Sequence, residues 1–536
     1  MPAPAAPAAR TALLALSLAS GIGALWSMAH WRDLLARNLP DPDDLMRLQQ
    51  VEDWLAGQSF GDLTQHRIGL YGVAMHWSRL PDLIPGAMLR LLRPLIGGPG
   101  AELAMLLLWP TLLFATFLWV AALLGARIGV RQVETMLVAL LAYPLTPLFA
   151  PGRIDHHGLQ MVLLLAGLLA LGGRATLAAG AGAGLALVAS IVVGMETVPL
   201  FVAAVGVLVL RWCRGRVEDA RLAGLAIATG GAAVAAMLVF ATDSWTLAAC
   251  DGFLRQSWTA TMIGSAALGV LAVAGRFVSP GRARFGCVAI VAMGALSAIA
   301  GVAPACRNPY GAVDPLLARL WLREVGEAGS FLTADPRWSF SYVGLLVVAI
   351  VAGMVRERAS PAPLRRLLLA VAVASLALAA VQLRGAYGGV AVAVVLLADA
   401  VAAARRHGVA AALAMRLAAA GIAYPLLAAT FPAAARPEAP RTCISPATLQ
   451  ALATLPPARI LAPIDLGPWL VRHGHHAIAA PYHRNAAGIL ATYRVAAADP
   501  SQRRRLLDAL RVRYVAGCDG RGLAPMAVGG LWRVPR

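Results

Sequence analysis

The chain has 536 residues, 59% of them hydrophobic and only 14% charged, with a net charge of +19 at pH 7. So much apolar surface excludes a soluble domain of ordinary composition, because apolar runs of membrane-crossing length recur from end to end. The positive charge does not mark a nucleic-acid binder: the chain has no lysine, and its arginines sit in short loops between the apolar runs, where they set membrane orientation.

The first apolar run, 13–30, follows Arg10 and extends through Trp26 towards Trp31 without a small-residue cleavage site. It reads as a retained first helix rather than a signal peptide. Further runs lie at 103–124, 159–171, 183–193, 198–210, 222–239, 288–303, 343–355, 367–381, 390–402 and 417–429, with less clean ones at 133–150 and 260–273. A crossing helix needs about 20 residues, fewer where its ends are buried in protein, so the expected class is a polytopic α-helical membrane protein of about thirteen spans over 1–430. With a cytoplasmic amino terminus, most arginine-rich loops fall inside. The loops holding Asp41, Asp155, Glu196, Asp243, Glu327 and Arg384, and the carboxyl terminus, then fall outside a bacterial-type inner membrane.

Between the first two spans, 33–99 is a long outer loop with helical patterning. Asp41-Pro42-Asp43-Asp44 opens a helix, since aspartate caps and proline suits the first helical position, and Leu45, Leu48, Val51 and Leu55 recur at helical spacing. Three carboxylates just outside a membrane can hold a divalent cation, activate an acceptor or favour a helix start. Asp44 and Arg47, one turn apart, can also simply pair. The stretch 83–96, carrying Arg90 and Arg93, reads as an amphipathic helix along the membrane surface.

Gly152-Arg153-Ile154-Asp155-His156-His157-Gly158 joins two spans with almost no loop. Ionisable groups squeezed there are costly unless they meet partners or ions, and a carboxylate beside an imidazole suits a transition metal, so Asp155 and His157 are candidate ligands. Arg153 reads as an interfacial anchor. Glu327 lies in a later outer loop after Trp321, whose surroundings read as an amphipathic surface helix. Arg384 occupies a minimal outer turn, against the topological bias; it either snorkels or grips a phosphate with its planar fork.

From about 431 onward the apolar content drops and proline, glycine and histidine punctuate the chain. A helix from Ser445-Pro446 to Leu455, strands at 459–464, 475–480 and 514–518, and a helix at 500–512 suggest an exported (periplasmic) α/β domain over 431–536. Pro463-Ile464-Asp465-Leu466-Gly467-Pro468 and Pro481-Tyr482-His483-Arg484-Asn485 stand at strand ends, where either a site or a turn is expected. His473, His475 and His476 form a weak zinc pattern. A disulfide between Cys443 and Cys518 is possible; Cys250 and Cys306 also face outside, with no pairing readable.

Taken together, the pieces resemble the oligosaccharyltransferase catalytic-subunit family, within the multispanning (GT-C) glycosyltransferases that use polyprenol-linked sugars. The resemblance covers nearly the whole chain and rests on the order, side and spacing of its motifs. Asp41, Asp43 or Asp44 corresponds to the family's catalytic first-loop aspartate, and Asp155-His156-His157 to its acidic-x-acidic motif. Val325-Gly326-Glu327 matches the acidic group of a late outer loop, and Arg384, with Arg47, the contact to the donor phosphate. The resemblance implies a divalent ion, manganese or magnesium, held by Asp155, His157 and a first-loop aspartate, Asp44 being taken for that role. It also implies a polyprenyl-(pyro)phosphate sugar donor and a glycan, lipid or protein acceptor. Two departures stand out: His157 replaces a second acid, and Pro463-Ile464-Asp465-Leu466-Gly467 lacks the paired tryptophans that read an asparagine sequon. The expected reaction is inverting sugar transfer with a first-loop aspartate as base or acceptor-orienting group. The alternatives are a polysaccharide or lipid-linked sugar exporter or flippase, and a non-catalytic envelope scaffold.

Overall fold

The computed structural model describes residues 8–307, 313–432 and 443–535. Every apolar run expected to span a membrane lies in a helix or a broken helical pair, and seven helices among the described residues are long and apolar enough to cross: Ala8–Ala29, Leu83–Arg127, Arg216–Phe240, Arg255–Phe277, Arg282–Val302, Pro336–Ala359 and Leu383–His407. His157–Leu171, Leu177–Val193 and Val409–Ala419 are shorter apolar helices.

Two runs are interrupted, and the interruptions meet. The first gives helix Gln132–Leu140 and a 3₁₀ turn Thr146–Phe149, because Pro144 and Pro147 withhold backbone donors. The second gives Val409–Ala419 and Ala423–Ala428, which break at Gly421, where an added Cβ would lie 2.5 Å from the Leu141 carbonyl. The Ile422 N–H donates to that carbonyl at 2.9 Å, so broken backbone is satisfied inside the protein, as a membrane requires.

The expected surface stretch 83–96 is the first limb of the 45-residue helix Leu83–Arg127. Its direction changes at Gly97, whose φ of 73° favours glycine. Leu89 is buried while Leu91, Leu95 and Ile96 stay exposed, an amphipathic arrangement.

The carboxyl-terminal segment forms a five-stranded sheet. With β1 (Thr64–Gln65) and β2 (Val73–Ala74) as a hairpin in the first outer loop, the tail strands are β3 (Arg459–Leu461), β4 (His476–Ala477), β5 (Tyr514–Ala516), β6 (Ala524–Pro525) and β7 (Leu531–Arg533), ordered β4-β3-β5-β7-β6. β3 pairs in parallel with β4 and β5, while β7 runs antiparallel to β5 and β6. The helix Ala486–Ala497 and strands β6 and β7 are additions to what the sequence pattern indicates. This unit does not bury its apolar residues alone. Met46, Ile68, Met75 and Trp77 of the first loop share a core with Leu452, Ile460, Leu470 and Tyr482, and Ile68 bridges Ala477. The first long loop is thereby clamped between apolar helices and tail.

Both outer cysteine pairs are joined: Cys443–Cys518, 75 residues apart, and Cys250–Cys306, 56 apart. Closing a loop of that length restricts the unfolded chain, so Cys443→Ser is expected to lower stability by about 2–5 kcal/mol. A thermal melt with and without reductant checks this: the wild type should lose the difference on reduction and the variant should not respond to it through this bond.

Candidate functional site: an outer cavity between first loop, short turn and tail

The helix Pro42–Leu55 begins where Asp41 Oδ1 accepts the Asp43 N–H at 2.9 Å. The helix is buried on all sides from Asp44 to Val51, so Asp44 lies inside it, whereas Asp41 and Asp43 at its start face a cavity of about 1410 Å³. Gly152, at φ 88°, turns the chain so that 153–157 runs beside this helix start.

Asp44 fastens the two segments together. The backbone N–H groups of Ile154 and Asp155 donate to its Oδ1 at 2.8 and 2.9 Å, and its Oδ2 lies 3.3 Å from Arg153. Arg153 also meets Asp41 at 3.1 Å and Asp155 at 3.7 Å, so one guanidinium stands among three carboxylates. Reading Arg153 as an anchor missed this. The available signal was the surplus of buried acids, which demands a countercharge. Asp44, expected as a metal ligand, has its Oδ1 taken by these backbone groups, while its Oδ2 faces Arg153 and makes no hydrogen bond among the described residues.

Arg47, expected beside the donor phosphate, sits in a different environment. It is fully buried and not on the cavity wall; its Nη1 donates to Asp82 at 2.7 Å and its guanidinium lies 4.6 Å over Trp77. Arg79 shares Asp82 at 3.3 Å. A donor phosphate cannot reach Arg47 without breaking this cluster.

Asp155, His156 and His157 form a compact donor set whose candidate ligand atoms all lie within 4.8 Å of one another. Asp155 Oδ1 is 2.6 Å from His156 Nδ1, its Oδ2 contacts His157 Nδ1, and the two imidazoles stack at 4.4 Å. His156 Nε2 reaches Glu196 at 3.3 Å, and Gln160 donates to Glu196 at 2.6 Å. Sequence reasoning named neither His156 nor Glu196 as part of the site. His157 Nε2 is buried with no hydrogen-bond partner among the described residues, the state expected of a ligand atom turned to an ion. Carboxylate with two imidazoles suits a borderline ion such as zinc or manganese better than magnesium.

The electrostatics separate the acids. Burial, then the charges of Asp155 and Asp41, pushes Asp43 up to about 7. Burial raises Asp44 to about 7 as well, against the pull of Arg153. Burial also works on Asp155, but His156 and His157 outweigh it and hold this carboxyl well below its usual range. The same pairing overcomes burial at His156 and lifts it to about 10. Neighbouring carboxyls pushed apart in this way take different roles: one stays ionised, the other exchanges a proton near neutrality.

Glu327 and Arg384 line the same cavity. Tyr387 donates to Glu327 at 2.9 Å and its ring stands edge-on to His157 at 6.1 Å, which links the late outer loop to the donor set. From the tail, Asp465, Tyr482 and His483 complete the wall. The three-histidine zinc pattern is corrected: His475 and His476 bond to the carbonyls of Leu452 and Gly69, His473 to that of Trp469, and none belongs to the donor set.

No family model and no curated protein matches the sequence. Solved structures do match. The Archaeoglobus fulgidus oligosaccharyltransferase in its apo form aligns with a TM-score of 0.71 at 13% identity, covering 95% of this chain and 69% of that one. The same archaeal enzyme with an inhibitory peptide and a dolichol-phosphate gives 0.68 at 13% identity, over 94% and 69%. Its complex with zinc and sulfate gives 0.62 at 14% identity, over 93% and 67%. At such identities the likeness establishes a shared fold.

Proposed function

We propose that this chain, carrying the oligosaccharyltransferase fold, is a membrane glycosyltransferase that moves a sugar or oligosaccharide from a polyprenyl-(pyro)phosphate donor to an acceptor at the outer face of a bacterial inner membrane. The observation that carries this reading is the meeting of Asp43, Asp155, His157, Glu327 and Arg384 on one cavity. The archaeal neighbour's complexes, one with dolichol-phosphate and one tethered to an acceptor peptide, support a lipid-linked donor and a separate acceptor.

Asp155, His156 and His157 would hold a divalent ion, which when bound neutralises charge on the leaving phosphate. Arg384 meets the same phosphate from its turn with a bidentate fork. Arg153 stands between Asp41 and Asp44 and holds both in place, which leaves Asp43 on the cavity for the acceptor. Asp43, lifted close to neutrality, takes the acceptor proton as the nucleophile attacks opposite the phosphate, an arrangement that inverts the anomeric centre. Glu327 and Tyr387 close the loop side against His157.

The test is donor turnover by the purified protein in nanodiscs, using polyprenyl-phosphate mannose, polyprenyl-phosphate glucose and undecaprenyl-pyrophosphate N-acetylglucosamine, with lipid products read by mass spectrometry. At least one donor should release its lipid phosphate, with activity lost after chelation and restored by manganese. Release that ignores chelation would remove the ion from the scheme. Absence of release from every donor, together with no binding of undecaprenyl phosphate, would reject the glycosyltransferase reading.

A further inference from the structure

A second polar group on the cavity has no part in the scheme above. His76 comes from the first outer loop, Tyr482 and His483 from the tail. His483 Nε2 lies 2.5 Å from Asp251 Oδ2. A carboxylate only accepts, so Nε2 carries the hydrogen, and a neutral ring then keeps its Nδ1 lone pair available. Arg484 fixes Asp251 with two bonds, 2.8 Å from Nε and 2.6 Å from Nη2, and itself donates to the carbonyls of Ala74 and Met75. Asp251 follows Cys250, whose disulfide to Cys306 anchors the segment. The imidazole of His483 is therefore held through Nε2 by a braced carboxylate.

The neighbouring rings form a continuous patch. His76 lies 5.0 Å from His483, 5.0 Å from Trp77 and 6.5 Å from Tyr482, and Trp77 meets Tyr482 edge-on at 5.6 Å. Tyr482 is 2% exposed, and its hydroxyl makes no hydrogen bond of good geometry; His76 Nδ1 is likewise buried without a partner among the described residues. Buried polar atoms left unpaired at a cavity wall cost about 1–3 kcal/mol each unless something fills the cavity and pairs them. Burial, then the charges of Asp43 and Asp41, holds the Tyr482 phenol well above its ordinary value, and Tyr482 and Asp43 line the same cavity.

Resting on the glycosyltransferase reading, we propose that His76, Tyr482 and His483, braced by Asp251 and Arg484, form the acceptor subsite, and that the acceptor is the hydroxyl of a glycan. A sugar ring presents a C–H face to aromatic and imidazole rings and hydroxyls around its edge, and this wall offers ring faces with polar atoms spread along them. An asparagine carboxamide is a single planar group and would leave most of those atoms unpaired. In the transfer, the acceptor oxygen bonds to the anomeric carbon. The bond from that carbon to the phosphate oxygen breaks with its electron pair going to phosphate, and the hydroxyl proton passes to Asp43.

Binding is measured by saturation-transfer NMR in nanodiscs, free of glycosidic detergent. The probes are the methyl glycosides of galactose, mannose, N-acetylglucosamine and glucuronic acid, a peptide containing Asn-Val-Thr, and undecaprenyl phosphate as the donor-side control. At least one glycoside should bind, and His483→Ala and Tyr482→Phe should each weaken it at least tenfold while leaving undecaprenyl phosphate binding unchanged; Tyr482→Phe should not lower the melting temperature. Tyr482→Phe removes one oxygen only, so it remains informative if the histidine variant misfolds. Binding of the peptide in place of every glycoside, glycoside binding indifferent to both variants, or no glycoside binding at all would overturn the proposal. Loss of undecaprenyl phosphate binding by the wild type would instead count against the donor reading.

Discussion

Asp155→Asn should leave the protein folded and cut sugar transfer roughly a hundred- to a thousandfold, the loss typical of removing one preorganised electrostatic group from an active site. Asparagine preserves the size of the side chain and the backbone N–H that donates to Asp44 at 2.9 Å. What disappears is the charge shared by His156 and His157. Without it the two imidazoles lose the partner that orders them, and an ion loses its only anionic ligand in the set. The check is the rate of lipid-phosphate release beside a melting curve. A rate within tenfold of wild type would show that Asp155 is a structural acid.

Asp82→Ala should be the most destabilising single change in the first loop. Asp82 is fully buried between Arg47 at 2.7 Å and Arg79 at 3.3 Å. Its removal strands two buried guanidinium groups, and breaking one buried pair alone typically costs about 3–5 kcal/mol. Arg47 also stacks on Trp77 and reaches His156 at 3.3 Å, so the loss propagates to the donor set. Yield and melting temperature report the effect. The double variant Arg47→Leu/Asp82→Leu should recover part of the loss, since one unpaired cation is gone; a double variant worse than the single one would show that the pair does more than balance charge.

The helical spans and the tail's alternation of strand and helix were legible because each rests on local periodicity. The first loop, the 152–158 turn, Glu327 and Arg384, which the sequence groups by their place between apolar runs, line one cavity. The assignments within that site were harder. Arg47 was read beside Asp44 because they are one turn apart, whereas its partner Asp82 lies 35 residues away. Helical spacing did not carry the answer either: every residue from Asp44 to Val51 is buried, and Asp43 differs only in lying at the helix start, on the cavity. The acceptor-side cluster was invisible as a unit, because His76, Asp251 and His483 come from three distant segments that only the docking of the tail on the first loop brings together.

The decisive measurement is a cryo-EM structure of the protein in nanodiscs with undecaprenyl phosphate and manganese. The expected map has the phosphate in the cavity against Arg384 and an ion within ligand distance, near 2 Å, of Asp155 and the adjacent histidines. A phosphate bound elsewhere, with Asp155 still engaged only by His156 and His157, would contradict glycosyl transfer at this site.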